Sequence, residues 1–307
     1  MTKRKIIGLI IVFVVFCIIG RVLYQNWSKV PFEELRFNVG FLAISYVFKF
    51  FAFVLGSLGW VFVLKSLGAK LPLKRALRIN SVSSLGRYVP GKVWAFLGQV
   101  YLAKRDKIPA SKTMVSVLLS TTLSILSALI IFSASLVFLV NKGMPNQIYL
   151  ALILIPLCFI ALHPHILPKI VNWGLRKMKK GVIEFNFNYA RILKLLGVYC
   201  LNWIAQSFCF FFLIRSFYPI SISVYPPLLG INSLAWVVGF LSFIVPGGLG
   251  IREGIQSFLL KFFIPLPVGI IAALLGRIWA IIGMLIFFAI FAGGLKMPMK
   301  EEALEMK

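Results

Sequence analysis

Apolar residues in this sequence form long runs that are separated by short polar segments. About 20 predominantly apolar residues are needed to cross the hydrocarbon core of a bilayer as a helix. Runs of about that length lie at residues 6–24, 41–64, 113–140, 147–163, 195–217 and 268–292. The pattern therefore predicts an all-α polytopic membrane protein with six spanning helices.

Two further apolar regions, 76–103 and 228–263, each carry a Pro-Gly cluster near the middle. Proline removes a backbone donor and glycine favours turns, so a helix is interrupted there and each half becomes too short to cross alone. Irregular backbone is tolerated at membrane depth only where protein or a water-filled cavity covers it. We therefore expect two re-entrant hairpins, each returning to the side from which it entered.

Composition agrees with this architecture, and the charge distribution sets an orientation. The sequence is 60% hydrophobic and 13% charged, with 33 Lys and Arg residues against 8 Asp and Glu. If six helices cross, most of the basic residues fall on the face that carries both termini, and basic residues favour the cytoplasm. We therefore expect a multi-pass protein of the cytoplasmic membrane with both termini in the cytoplasm. The basic excess then indicates topology and contact with anionic lipid headgroups, not binding of nucleic acid.

The predicted elements occur twice in the same order with opposite orientation, which is the inverted-topology repeat of many transporters. The halves are residues 1–142 and 143–295 of a single membrane domain, and a short cytoplasmic tail follows at 296–307. The hairpins also share sequence: Ile79-Asn80-Ser81 precedes Val89-Pro90-Gly91 in the first, and Ile231-Asn232-Ser233 precedes Val245-Pro246-Gly247 in the second.

Ionisable residues at membrane depth are the strongest pointers to chemistry. A charge at the bilayer centre costs about 2.5–3.5 kcal/mol on insertion scales, so it is retained for a function. The apolar regions contain one acidic residue at membrane depth, Glu253. The basic residues at that depth number five: Lys49, Arg87, Lys92, Arg252 and Arg277. Glu253 can form an ion pair with Arg277 or with Lys49, or act as a protonatable coupling residue. Some basic residues, Arg87 first, can instead extend toward the nearer interface.

The hairpin tips add a second source of positive potential. After each tip a helix is predicted to begin, near Lys92 and near Ile251, and a helix N-terminus presents unpaired N–H groups and about half a positive charge. Glycines at the tips allow the backbone to approach a ligand closely. The predicted anion or headgroup site comprises Asn80, Arg87, Tyr88, Pro90, Gly91, Lys92, Asn232, Pro246, Gly247, Gly248, Gly250, Arg252 and Arg277.

Polar residues at helical spacing mark one face of each of two spans. On the third span they are Thr113, Ser116, Ser120, Ser124 and Ser127, and on the fifth they are Asn202 and Gln206. Such residues either hold helices together or line a polar groove, and we favour the first reading.

Signatures of enzymes are not visible in the sequence. It contains no Ser-His-Asp set, paired carboxylates, Walker loop or cofactor motif. His163 and His165 form a possible metal pair, but no third ligand lies nearby in sequence. We therefore expect no enzyme, no metal site and no cofactor.

The two hairpin segments resemble a known family. SSLGRYVPGKVWAFLGQ, residues 83–99, and FIVPGGLGIREG, residues 243–254, are similar to the lysylphosphatidylglycerol synthase transmembrane-region family of flippase-like proteins. In full synthases of that family, a soluble domain that transfers lysine to phosphatidylglycerol follows the membrane part. This sequence has no room for such a domain after its last predicted helix, so we expect the membrane part alone. The resemblance implies movement of lipid between leaflets, with the motif glycines, Arg252 and Glu253 at the site.

Together these observations predict translocation, or flipping, of an anionic phospholipid, glycolipid or polyprenyl-phosphate-linked headgroup, with membrane lipids as partners. Two alternatives stay open. A membrane-embedded transferase acting on lipid-linked substrates would need a carboxylate or histidine pair at one interface. A transporter of a small soluble anion would need a sealed central cavity, whereas lipid passage needs grooves that are open to the bilayer.

Overall fold

A computed structural model describes residues 37–88, 94–140, 189–242 and 248–292, together with residues 169, 172, 173 and 176. Within these residues all regular structure is helical, which agrees with the predicted all-α class. The predicted spans 6–24 and 147–163 and the tail 296–307 lie outside the described residues.

The described helices pair long spans with short segments. In chain order they are α1 Val39–Ser66, α2 Leu73–Ser84, α3 Trp94–Lys104, α4 Ala110–Val140, α5 Tyr189–Phe217, α6 Tyr225–Leu241, α7 Ile251–Leu260 and α8 Leu266–Phe291. A 3-10 turn, Leu85–Tyr88, follows α2, and another, Ile222–Val224, precedes α6.

Five of these elements are long and apolar enough to cross a membrane, so the chain is a multi-pass membrane protein. Four of them confirm the predicted spans 41–64, 113–140, 195–217 and 268–292. The fifth, Ile222–Leu241, has 20 residues, so the prediction that the first half of the second hairpin is too short to cross is wrong. The helix starts before residue 228, where the predicted region begins. Prolines in its first turn allow this start, because the missing N–H costs nothing there.

The other limbs of the two Pro-Gly regions are short. Helices α2, α3 and α7 contain 12, 11 and 10 residues. At 1.5 Å per residue each spans about 15–18 Å, roughly half of the hydrocarbon core. None of these three helices can cross a bilayer alone.

Among the described helices, α1 and α5 pack against each other most extensively. Ser45 Oγ donates to the carbonyl of Cys209 at 2.7 Å, and Asn202 Nδ2 donates to the carbonyl of Ala52. The residue numbers rise along α1 as they fall along α5, so the two helices run antiparallel.

Helix α8 packs against α1 in the opposite sense. The rings of Tyr46 and Trp279 lie with centroids 4.1 Å apart, and those of Phe53 and Phe287 lie 4.4 Å apart. Residue numbers rise together along both helices, so α8 is parallel to α1.

Polar residues on the spans connect helices, as favoured from the sequence. Trp60 Nε1 on α1 donates to Ser116 Oγ on α4 at 2.9 Å. Asn202 joins α5 to α1, and Gln206 Nε2 donates to Asn202 Oδ1 at 2.8 Å. For Ser116 and Asn202 the helix-packing role is confirmed, whereas the bond of Gln206 lies within α5.

Candidate functional site

The first Pro-Gly region is tied to α1 by an amide cluster around Asn80. Asn80 Nδ2 on α2 donates to Ser57 Oγ on α1 at 2.9 Å. Gln99 Nε2 on α3 donates to Asn80 Oδ1 at 2.5 Å. We call Ser57, Asn80 and Gln99 the first amide cluster; it holds both limbs of the region against the long helix.

A second amide cluster, formed by Ser207, Asn232 and Gln256, does the same in the other half of the chain. Asn232 Nδ2 on α6 donates to Ser207 Oγ on α5 at 3.2 Å. Gln256 Nε2 on α7 donates to Asn232 Oδ1 at 3.1 Å. Residue types, donors and acceptors are therefore the same in the two clusters.

The surroundings of the two asparagines also match, with one difference. The preceding residues, Ile79 and Ile231, are both fully buried. The difference is an arginine: Arg252 Nη2 donates to Asn232 Oδ1 at 3.2 Å, whereas among the described residues the Asn80 side chain bonds only to Ser57 and Gln99. Asn80 and Asn232, predicted as ligand-binding residues, thus bond to the protein's own side chains.

Three basic side chains converge from three elements, and we call Lys49, Arg87 and Arg252 the basic cluster. Lys49, on α1, lies within electrostatic range of the Cys209 thiol on α5 and of the guanidinium groups of Arg252 and Arg87. Arg87 belongs to the 3-10 turn after α2 and is exposed, and Arg252 lies in the first turn of α7. Within the described residues Lys49 has no hydrogen bond and no ion pair. The structure therefore places like charges near one another, and no carboxylate of the described residues forms an ion pair with Lys49.

Glu253 acts within the protein at the start of α7. Its side chain is 2% exposed, and Oε2 accepts from the backbone N–H of Gly250 at 2.6 Å. Oε1 lies 3.8 Å from Arg277 Nε, so of the two ion-pair partners considered, Arg277 is the one in contact. A carboxylate at a helix N-terminus is favoured by the helix dipole. The N-terminus of α7 therefore already carries an anionic group of its own, which differs from the open anion site that we expected there.

The glycines before α7 allow a close contact inside the protein. Gly248 and Gly250 have positive φ angles of 66° and 80°, which side chains rarely adopt. A Cβ on Gly248 would also lie 2.5 Å from the carbonyl oxygen of Gly239 on α6. The close approach of Gly248 is thus to the backbone of α6.

Several predicted residues cannot be placed at the site. Pro90, Gly91, Lys92, Pro246 and Gly247 lie outside the described residues, as do the side chain of Tyr88 and both histidines.

The sequence reasoning missed a tyrosine and a glycine next to Lys49. The Tyr46 hydroxyl is buried and has no hydrogen-bond partner among the described residues. A Cβ on Gly283 of α8 would lie 3.2 Å from Lys49 Cε and 3.7 Å from Tyr46 Cε1. Only the three-residue spacing of Tyr46 and Lys49, which puts both on one helix face, could have suggested this neighbourhood.

The geometry joins two related amide clusters, a buried ion pair and a basic cluster within a bundle of membrane-spanning helices. Comparison with curated proteins finds no match to this chain. A family model described as the lysylphosphatidylglycerol synthase TM region matches residues 5–287, nearly the whole chain, and the protein therefore belongs to that family.

Proposed function

We propose that this protein translocates lipids with an anionic headgroup across the cytoplasmic membrane: a phospholipid, a glycolipid or a polyprenyl-phosphate-linked lipid. Membership in a family of membrane regions from lipid-modifying proteins supports a role in lipid handling. The single observation that carries the proposal is the basic cluster, in which Lys49 has neither a hydrogen bond nor an ion pair among the described residues.

The position of Lys49 makes that charge costly. It lies three to four residues from the midpoint of the 28-residue α1, which is about 5 Å along the helix axis. An ammonium near the bilayer centre costs about 2.5–3.5 kcal/mol on insertion scales, and the like charges of Arg87 and Arg252 add to that cost. A phosphate that enters between these side chains offsets the cost, while its acyl or prenyl tails remain in lipid.

We propose further that the two halves form an inverted-topology repeat with both termini in the cytoplasm. Two observations support this arrangement. The amide clusters are alike in composition and bonding, and the helices that carry their serines, α1 and α5, run antiparallel. In such repeats, rocking of one half against the other exposes a central site to each side in turn.

A flux assay in proteoliposomes tests the proposal. We expect wild-type protein to accelerate inward movement of acyl-labelled phosphatidic acid or phosphatidylglycerol, compared with empty liposomes, more than that of phosphatidylcholine. Replacing Lys49 by Met removes a charged donor worth about 1.5–3 kcal/mol, which corresponds to a loss of roughly tenfold to a hundredfold. Lys65→Met is the matched control, because Lys65 is an exposed residue in the last turn of the same helix. This variant should retain wild-type flux. Wild-type flux equal to that of empty liposomes for every anionic lipid contradicts the proposal.

A further inference from the structure

The Tyr46 side chain has a buried polar atom to which no described residue bonds. Its ring packs on Trp279, and its hydroxyl has no hydrogen-bond partner among the described residues. Nearby polar groups are engaged with each other, since Trp279 Nε1 donates to Ser45 Oγ at 2.9 Å and Ser45 Oγ donates to the carbonyl of Cys209. Most buried hydroxyls in proteins have a partner, so one without a described partner retains a donor that a ligand can use.

Lys49 brings a second unused donor to the same place. It follows Tyr46 by three residues and therefore lies on the same face of α1. The ends of both side chains pass beside Gly283 of α8, where the missing side chain leaves room: a Cβ there would lie 3.2 Å from Lys49 Cε and 3.7 Å from Tyr46 Cε1. Neither a hydrogen bond nor an ion pair engages the ammonium within the described part of the chain.

The chemistry of these groups selects an anion. An ammonium only donates hydrogen bonds, and a phenol donates readily to a charged oxygen. The like charges of Arg87 and Arg252 act on the same spot, so a cation is repelled. An oxygen of a phosphate group satisfies the ammonium and the phenol together.

We propose that Tyr46, Lys49 and Gly283 form an oxyanion subsite between α1 and α8, in which the Tyr46 hydroxyl and the Lys49 ammonium donate to a phosphate oxygen. This inference rests on the proposed function, because it assigns the phosphate of the translocated headgroup to a specific pair of donors. It adds Tyr46 as a direct binding residue and Gly283 as the position that provides space.

Binding by purified full-length protein in detergent tests the subsite. Calorimetry would use dihexanoylphosphatidic acid, inorganic phosphate and dihexanoylphosphatidylcholine as three separate ligands. We expect phosphatidic acid to bind and phosphatidylcholine not to bind, and Tyr46→Phe to weaken phosphatidic acid binding about tenfold. Gly283→Ala should weaken it as well, since its methyl group crowds Lys49. Tyr199→Phe is the matched control: it also removes a buried hydroxyl, but one that lies against Ser120 of α4 and Gly59 of α1, and it should leave the affinity unchanged.

A stability measurement makes the test independent of transport. Removing an unused buried hydroxyl should leave the melting temperature of ligand-free Tyr46→Phe equal to or above that of wild type. A clear fall would show that the hydroxyl has a partner in the protein and would overturn the inference.

Binding of phosphatidic acid that is equal in wild type and Tyr46→Phe also overturns the subsite but leaves the proposed function standing. Wild-type protein that binds neither phosphatidic acid nor phosphate overturns both. A further outcome is that inorganic phosphate binds wild type as tightly as phosphatidic acid does, and binds Tyr46→Phe less tightly. That result supports the subsite and identifies a soluble anion as its occupant.

Discussion

The contact between Asn232 and Arg252 allows a sharp test of how the basic cluster is held, because the chain contains its own control. Asn232→Ala removes the acceptor of the hydrogen bond from Arg252, and Asn80→Ala removes the matching asparagine, to which no described arginine bonds. Each substitution breaks one of the two amide clusters. Only the first acts on an arginine.

The expected magnitude follows from the geometry. A hydrogen bond to a charged group contributes about 1.5–3 kcal/mol, and the donor–acceptor distance of 3.2 Å places this bond near the lower end. Combining Asn232→Ala with Arg252→Met should therefore give a coupling energy of about 1.5 kcal/mol. The same cycle with Asn80→Ala should be additive within about 0.5 kcal/mol, since among the described residues Arg252 bonds to Asn232 and not to Asn80.

The assay is the free energy of unfolding, measured by titration with a denaturing detergent for the single and double variants. Equal coupling in both cycles, or none in the Asn232 cycle, would refute the idea that Asn232 holds Arg252. Flux of anionic lipid in the single variants adds a functional readout, and only Asn232→Ala should reduce it beyond its effect on stability.

Two further predictions concern packing and the buried ion pair. In Gly230→Ala, the new Cβ would overlap Ser135 Oγ and lie 2.7 Å from Ser135 Cβ, so the free energy of unfolding should fall by about 1–3 kcal/mol. Gly197→Ala, with no atom within 4 Å of its Cβ, should leave stability unchanged or raise it by up to about 1 kcal/mol, and a loss equal to that of Gly230→Ala would contradict the packing. Glu253→Gln keeps an acceptor for the Gly250 N–H but removes the carboxylate from buried Arg277, so we expect a loss of about 3 kcal/mol in the same titration, whereas wild-type stability would show that the ion pair contributes nothing.

The sequence predicted the elements that depend on local pattern. Four spanning helices followed from the length of their apolar runs, and the short limbs α2, α3 and α7 followed from the Pro-Gly clusters. The start of α6 did not, because prolines occupy its first turn, where proline is tolerated but does not extend the apolar run.

The site was predictable in its residue types but not in its contacts. The shared Ile-Asn-Ser tripeptides pointed to Asn80 and Asn232, but aligning the two halves on them sets Ser57 against Cys209 and Gln99 against Ile251, so the serine and glutamine partners are missed. The role of Glu253 was also open to prediction, since a glutamate three residues after a helix cap commonly bonds back to the cap N–H. The burial of Tyr46 was not, because it depends on how α8 packs on α1, and no local pattern encodes that contact.

The central claim is that the basic cluster holds an anionic headgroup inside the membrane. The most direct measurement is an experimental structure of the protein in nanodiscs that contain phosphatidic acid. We predict density for a phosphate in contact with Lys49, and with Arg87 and Arg252 around it. Basic side chains that extend to water on either face, with tightly packed apolar side chains in the space between them, would contradict the claim.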